Sequence, residues 1–119
     1  MLFLVVLVLT GLASLQANAA TPMQGYFDGK RLYDDCHNIS DPMSQGFCVG
    51  YVSGLVDLDL AYVGLIEGYR PQFCIRSAVN PVQLKDIVIQ YLEANPEQRH
   101  YPAAGSVMMA LSSAFPCPK

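Results

Sequence analysis

The chain has 119 residues, of which 52% are hydrophobic, and it carries a formal net charge of −3 at pH 7. This acidic balance argues against nucleic acid or an anionic membrane surface as a partner, because both require a basic patch. A basic or neutral protein partner remains open.

The N-terminus is uncharged and apolar. Residues 2–9 are all aliphatic or aromatic, and the small residues that follow end in Ala17-Asn18-Ala19. This pattern predicts a signal peptide over residues 1–19, with cleavage after Ala20 as the near alternative, although no basic residue precedes the apolar run. The run is shorter than the ~20 residues that span a bilayer, which argues against a retained anchor. We therefore expect an exported protein whose mature domain covers residues 20–119.

The mature part contains four cysteines: Cys36, Cys48, Cys74 and Cys117. An even number in a small exported domain predicts two disulfides, and the closely spaced cysteine pairs of a zinc site are missing from the sequence. Three pairings are open. We favour Cys36 with Cys48, which would staple a helical hairpin, and Cys74 with Cys117, which would tie a central loop to the C-terminus.

Four segments with helical spacing of apolar residues follow one another along the mature chain. Their predicted bounds are about 28–36, 41–63, 80–95 and 102–115. The second and third each begin with a capping residue followed by proline, Asp41-Pro42 and Asn80-Pro81. Since no stretch alternates like a strand, the sequence predicts an all-α fold, a small bundle-like domain of four helices.

One face of the second predicted helix carries Gly46, Gly50 and Gly54, spaced four residues apart. Each glycine inside a helix costs about 1 kcal/mol relative to alanine, so three in register require a compensating contact. We expect close packing of another helix of the same domain against them, with a homodimer interface as the alternative.

An irregular loop covers residues 68–76, between the second and third helices. Loops carried on a rigid scaffold are frequent binding sites. The loop contains two aromatic side chains and two arginines, which makes it a candidate for contact with a partner.

The sequence offers little for catalysis. No serine lies in a nucleophile elbow, and His37 and His100 do not form the histidine pair of a metalloprotease. The acidic groups Asp34-Asp35, Asp57/Asp59 and Glu93/Glu97 match no calcium loop and are interpreted as solvated faces. We expect a non-enzyme that needs no metal and no cofactor.

Several motifs occur together in one order. The first is F-C-x-G-Y-x-x-G-x-x-D over residues 47–57, and further motifs lie at 74–75, 83–92, 96–100 and 110–117. Together they resemble the Tai-type family of type VI secretion amidase immunity proteins, over roughly residues 30–117. Two features depart from that family: Arg76 stands where proline often follows the central cysteine, and the stretch from Asp57 to Cys74 is long. Both bear on partner identity.

The resemblance implies a periplasmic inhibitor: small, helical, disulfide-bonded and often homodimeric. Its partner would be a papain-like peptidoglycan amidase toxin, blocked when a loop occupies the substrate cleft. The residues expected at this contact are aromatic or basic and lie in two loops. They are Tyr69, Arg70, Phe73, Arg99, His100 and Tyr101.

Three other interpretations stay open. A periplasmic chaperone or stress binder could be equally small and disulfide-bonded. Asp57 and Asp59 would then be carboxylates at a dimer interface that opens. A secreted enzyme with an unrecognised site would show a cleft with convergent polar groups. A family member without a cognate toxin would serve another role in the envelope.

Overall fold

The computed structural model describes residues 25–76 and 78–119, so the predicted signal peptide lies outside the described residues. Within these ranges the chain forms four α-helices and one short 3-10 helix, which confirms the predicted all-α, bundle-like fold. The helices are α1 (Gly29–His37), α2 (Pro42–Leu65), α3 (Pro81–Ala94), the 3-10 helix (Pro96–His100) and α4 (Ala103–Ala114).

Side-chain caps fix where the first three α-helices begin. The carboxylates of Asp28 and Asp41 accept hydrogen bonds from the backbone N–H groups three residues later, which satisfies donors without an intrahelical partner. Asn80 and Gln83 form a complete capping box at the start of α3. Proline occupies the first turn of α2 and of α3, as the sequence predicts.

The core is formed by one row of buried side chains from each α-helix. α3 alone contributes Leu84, Val88 and Leu92, spaced four residues apart. The core also includes a residue of the loop between α2 and α3. Its buried hydrophobic members are Leu32, Cys36, Cys48, Val52, Phe73, Leu84, Val88, Leu92, Ala103, Val107, Ala110 and Leu111.

Both favoured disulfides are present. Cys36 and Cys48 join α1 to α2 inside the core, where both residues are fully buried. Cys74 and Cys117 tie the loop after α2 to the C-terminal residues that follow α4, and both remain partly accessible. The first bridge therefore lies within the packed core, and the second anchors the long loop.

The 3-10 helix and the residues after it form a strap across the start of α1, where the sequence indicated only a loop. Gly29 donates its N–H to the carbonyl of Tyr101 at 2.8 Å. A Cβ atom on Gly29 would lie 2.8 Å from the Gln98 carbonyl oxygen and 2.9 Å from the Arg99 Cα. Only glycine lets these two backbones approach so closely.

The glycine stripe of α2 is not packed against another helix of the domain, so the prediction of close packing within the described domain is wrong. Ser44, Cys48 and Val52 are buried, whereas the glycines lie two residues further along, about 200° around the helix. A Cβ atom on Gly46, Gly50 or Gly54 would meet nothing within 4 Å. The stripe faces outward.

Candidate functional site

The loop from Gly68 to Arg76 is held at several points by the rest of the domain. It turns at Gly68, whose φ of 78° favours glycine, and its Cys74 N–H donates to the carbonyl of Phe115 at 2.8 Å. The Ser112 hydroxyl donates to the Gln72 carbonyl at 2.9 Å. Together with the Cys74 disulfide, these bonds fix the loop on the C-terminal end of α4.

The three contact residues predicted on this loop have different surroundings. Arg70 is exposed, as an interface anchor must be. Tyr69 is half-buried, and its hydroxyl donates to the Asp59 carboxylate at 2.6 Å. Phe73 is only 4% exposed and belongs to the core, so it supports the loop from below and is not a surface anchor in this conformation.

The second predicted set lies on the strap next to α1. Arg99 is half-buried: its guanidinium stacks over the ring of Tyr33 at 3.8 Å, and its Nε donates to the Leu92 carbonyl. His100 is exposed and lines two shallow depressions beside α1, and the Tyr101 side chain is 58% exposed. His100 and Tyr101 are therefore the members of this set available to a partner.

The two predicted sets do not form one cleft. The strap precedes the first residue of α4, whereas the Gly68–Arg76 loop is bonded to Ser112 and Phe115 at the other end of that helix. Pro102 and Ser112 are ten positions apart, which at a rise of 1.5 Å per residue corresponds to about 15 Å. The sequence identified two patches and could not show their separation.

An exposed apolar surface lies on α2, around the glycine stripe for which the sequence left a homodimer interface as the alternative. We call the exposed side opposite the core the outer face of α2; it also carries Asp57. Its members are Met43, Gly46, Gly50, Gly54, Leu58, Ala61 and Leu65. Leu65 is 80% exposed, and several further apolar residues near the end of the helix are also exposed. Such a surface on a small domain indicates a site of association.

By length and composition alone, α2 could cross a membrane, and no other helix in the described ranges meets this criterion at 18 residues or more. A helix in the core of a globular domain meets the same criterion when its outer face is apolar. Here α2 packs on α1, α3 and α4, and it buries Asp59 beneath a loop.

Asp59 is a correction to the prediction that the acidic residues form solvated faces. It is 2% exposed, and its three hydrogen bonds come from the Tyr69 hydroxyl and, to both carboxylate oxygens, from the Gln72 backbone N–H. The hydrogen bond to Asp59 raises the pKa of the Tyr69 phenol, and the nearby negative charge acts in the same direction. Asp59 is therefore not available as a carboxylate at a dimer interface that opens.

The described residues do not pair a serine or cysteine nucleophile with a histidine base. His37 bridges the Tyr33 carbonyl and the Glu93 carboxylate, and the four cysteines are paired. Of the serines that form side-chain hydrogen bonds in this part of the chain, none contacts a histidine, and no group of three metal-binding side chains is found there. The surfaces described above are suited to binding.

A family model described as Rap1a immunity proteins matches residues 28–117. The matched region begins at the N-cap of α1 and ends at the last cysteine, so it covers the four helices and both disulfides. No curated protein matches the chain.

Proposed function

This chain belongs to the Rap1a immunity protein family, and we propose that it binds a secreted toxin and blocks it sterically, without chemistry of its own. The observation that carries the proposal is the family match over the whole disulfide-bonded domain. A rigid scaffold with a fixed loop suits this role, because preorganisation lowers the ordering cost of binding.

We further propose that the toxin is a peptidoglycan amidase of a type VI secretion system. The ordered motifs that resemble the Tai-type immunity proteins support this finer assignment, beginning with Phe47-Cys48 and ending with Pro116-Cys117. An amidase of that kind has a cysteine nucleophile in a cleft, and an inserted loop excludes the substrate from it. The Gly68–Arg76 loop, with Arg70 exposed at its turn, is the part of this chain best formed for insertion.

The place of action proposed for this protein is the periplasm. The apolar run and the Ala17-Asn18-Ala19 pattern support export, and two disulfides suit an oxidising compartment. Fractionation of cells that produce the full chain tests this directly. We expect a mature protein that starts at Ala20 or Thr21 in the periplasmic fraction; a full-length protein in the cytoplasm would contradict the proposal.

A homodimer through the outer face of α2 is the proposed oligomeric state. The glycine stripe would let a second copy of α2 approach closely, and Leu58 and Leu65 would extend the contact. Gly50→Arg should convert a dimer to a monomer in light scattering, whereas Gly105→Arg, on an open position of α4, should leave the dimer intact. A wild-type protein that is monomeric at every concentration would refute this state.

Titration of an amidase tests the function itself. The mature domain is added in turn to type VI secretion amidases, beginning with any that is encoded beside this chain, and cleavage of purified peptidoglycan is followed. We expect cleavage to stop at about one inhibitor per enzyme. If Arg70 is an anchor, Arg70→Ala should raise the Kd about 30-fold, equivalent to a loss of roughly 2 kcal/mol. Arg76→Ala, which removes the same charge further along the loop, is the matched control.

Two results would count against the function. Cleavage that continues at a large excess of the mature domain, with this and other type VI amidases, would refute inhibition of that toxin class. Equal weakening by Arg70→Ala and Arg76→Ala would indicate a general charge effect and not a contact at the turn of the loop.

A further inference from the structure

Asp59 is the one carboxylate buried among the described residues, and all of its hydrogen-bond donors come from a single loop. In the described ranges no cation lies within ion-pair distance of it. A buried carboxylate is tolerated only when hydrogen bonds replace the lost water. Here the Tyr69 hydroxyl and the Gln72 N–H supply them, so the charge is satisfied only while the loop has its present shape.

The remaining contacts of the loop show what Asp59 adds. The bonds from Ser112 and to Phe115 hold residues 72–74, and the Tyr69 N–H donates to the Ile66 carbonyl at the beginning of the turn. Asp59 is bonded to both ends of the segment between these anchors. Arg70 and Pro71 lie within that segment, and Arg70 is exposed. The carboxylate thus closes the turn that presents Arg70.

We propose that Asp59 is a positioning residue that holds the turn Tyr69–Gln72 in the conformation in which it presents Arg70 to the toxin. The proposal rests on the proposed function, since it assumes that this loop meets the partner. Asp59 itself does not touch the partner. Its effect is to keep the population of binding-competent loop high before the encounter.

The test uses Asp59→Asn in the mature domain, with Asp86→Asn as the control. Asp86 is an exposed carboxylate on α3, outside both the Gly68–Arg76 loop and the outer face of α2. Asparagine keeps the shape of the side chain but replaces one acceptor with an amide donor, which cannot pair with the Gln72 N–H. Because hydrogen bonds to charged groups contribute strongly, exchange of the Gln72 amide should accelerate at least about tenfold.

Two further readouts separate positioning from general stability. The pKa of Tyr69, followed by NMR of labelled tyrosine, should fall in Asp59→Asn because the carboxylate that raises it is gone. The Kd for the amidase used in the titration should rise by about the factor by which the ordered loop population falls. Asp86→Asn should change neither Gln72 exchange nor the Kd.

The proposal is overturned if Asp59→Asn leaves Gln72 exchange and the Tyr69 pKa unchanged, or if it opens the loop without weakening binding. If Asp59→Asn does not fold, Tyr69→Phe is measured, and it must accelerate Gln72 exchange for the proposal to stand. A wild-type domain that inhibits no amidase would instead refute the proposed function, while the exchange data would still report on the loop.

Discussion

Removing the Cys74–Cys117 bridge should cost this domain a large part of its stability. The two cysteines of this bridge are 43 residues apart in the sequence. The chain-entropy relation for a loop of that length gives ~4 kcal/mol, against ~3 kcal/mol for the 12-residue separation of Cys36 and Cys48. A small domain has a total stability of about 5–15 kcal/mol, so the double variant Cys74→Ser/Cys117→Ser should be only marginally folded.

Urea unfolding followed by far-UV circular dichroism measures this loss, because the chain has no tryptophan to report by fluorescence. With a slope of about 1–2 kcal/mol/M, a loss of ~4 kcal/mol lowers the midpoint by roughly 2–4 M. The variant Cys36→Ala/Cys48→Ala is the comparison, and it additionally loses buried packing. A loss of less than about 1 kcal/mol for the Cys74–Cys117 pair would refute the reasoning that this bridge constrains the unfolded chain.

Three further substitutions, two of them with a matched control, test the packing and the caps by urea unfolding of the mature domain. Leu111→Ala, at a fully buried position, should cost about 2–5 kcal/mol, whereas Met109→Ala, at a position 59% exposed, should change stability by less than about 0.5 kcal/mol. Gly29→Ala should cost about 1–3 kcal/mol, because a Cβ atom there meets the backbone of the strap. Gly105→Ala, whose Cβ atom meets nothing within 4 Å, should be neutral or stabilise the domain by up to about 1 kcal/mol. Equal effects of the two substitutions would contradict the close approach of the strap to Gly29. Asn80→Ala should cost about 1 kcal/mol by removing the cap of α3, and an unchanged midpoint would show that the capping box is not formed in solution.

The sequence predicted the helices well because their ends are marked by local chemistry. Asp41 followed by proline, and Asn80 with a glutamine three residues later, are signals that act within one turn and need no tertiary information. The favoured disulfide pairing was also confirmed. It followed from helix order, since Cys36 and Cys48 lie on consecutive helices that a short turn brings together.

The sequence could not show which side of α2 is covered. Periodicity places Gly46, Gly50 and Gly54 on one face, but another element decides whether that face is buried. In this domain the helices pack against the side that carries Cys48 and Val52, and the glycines remain open. A three-dimensional arrangement was needed to distinguish packing within the domain from a surface for a second chain.

The candidate site was predictable only in part, for a similar reason. The Gly68–Arg76 loop was recognised from its composition, but the direction of each side chain depends on how the loop crosses α2 and α4. Phe73 enters the core, and the Tyr69 hydroxyl is bonded to Asp59, whereas Arg70 remains exposed. The burial of Asp59 has no local signal, because on the sequence it differs little from the exposed Asp57.

Protection of cells from the toxin is the most direct test that this chain is an immunity protein. Cells direct to their own periplasm the type VI amidase that the mature domain inhibits in the titration, and they produce either the full chain or a chain without residues 1–19. We expect the full chain to restore growth and the shortened chain to fail, because inhibitor and toxin must share a compartment. Lysis of cells in which the mature domain has accumulated in the periplasm would contradict immunity against that toxin.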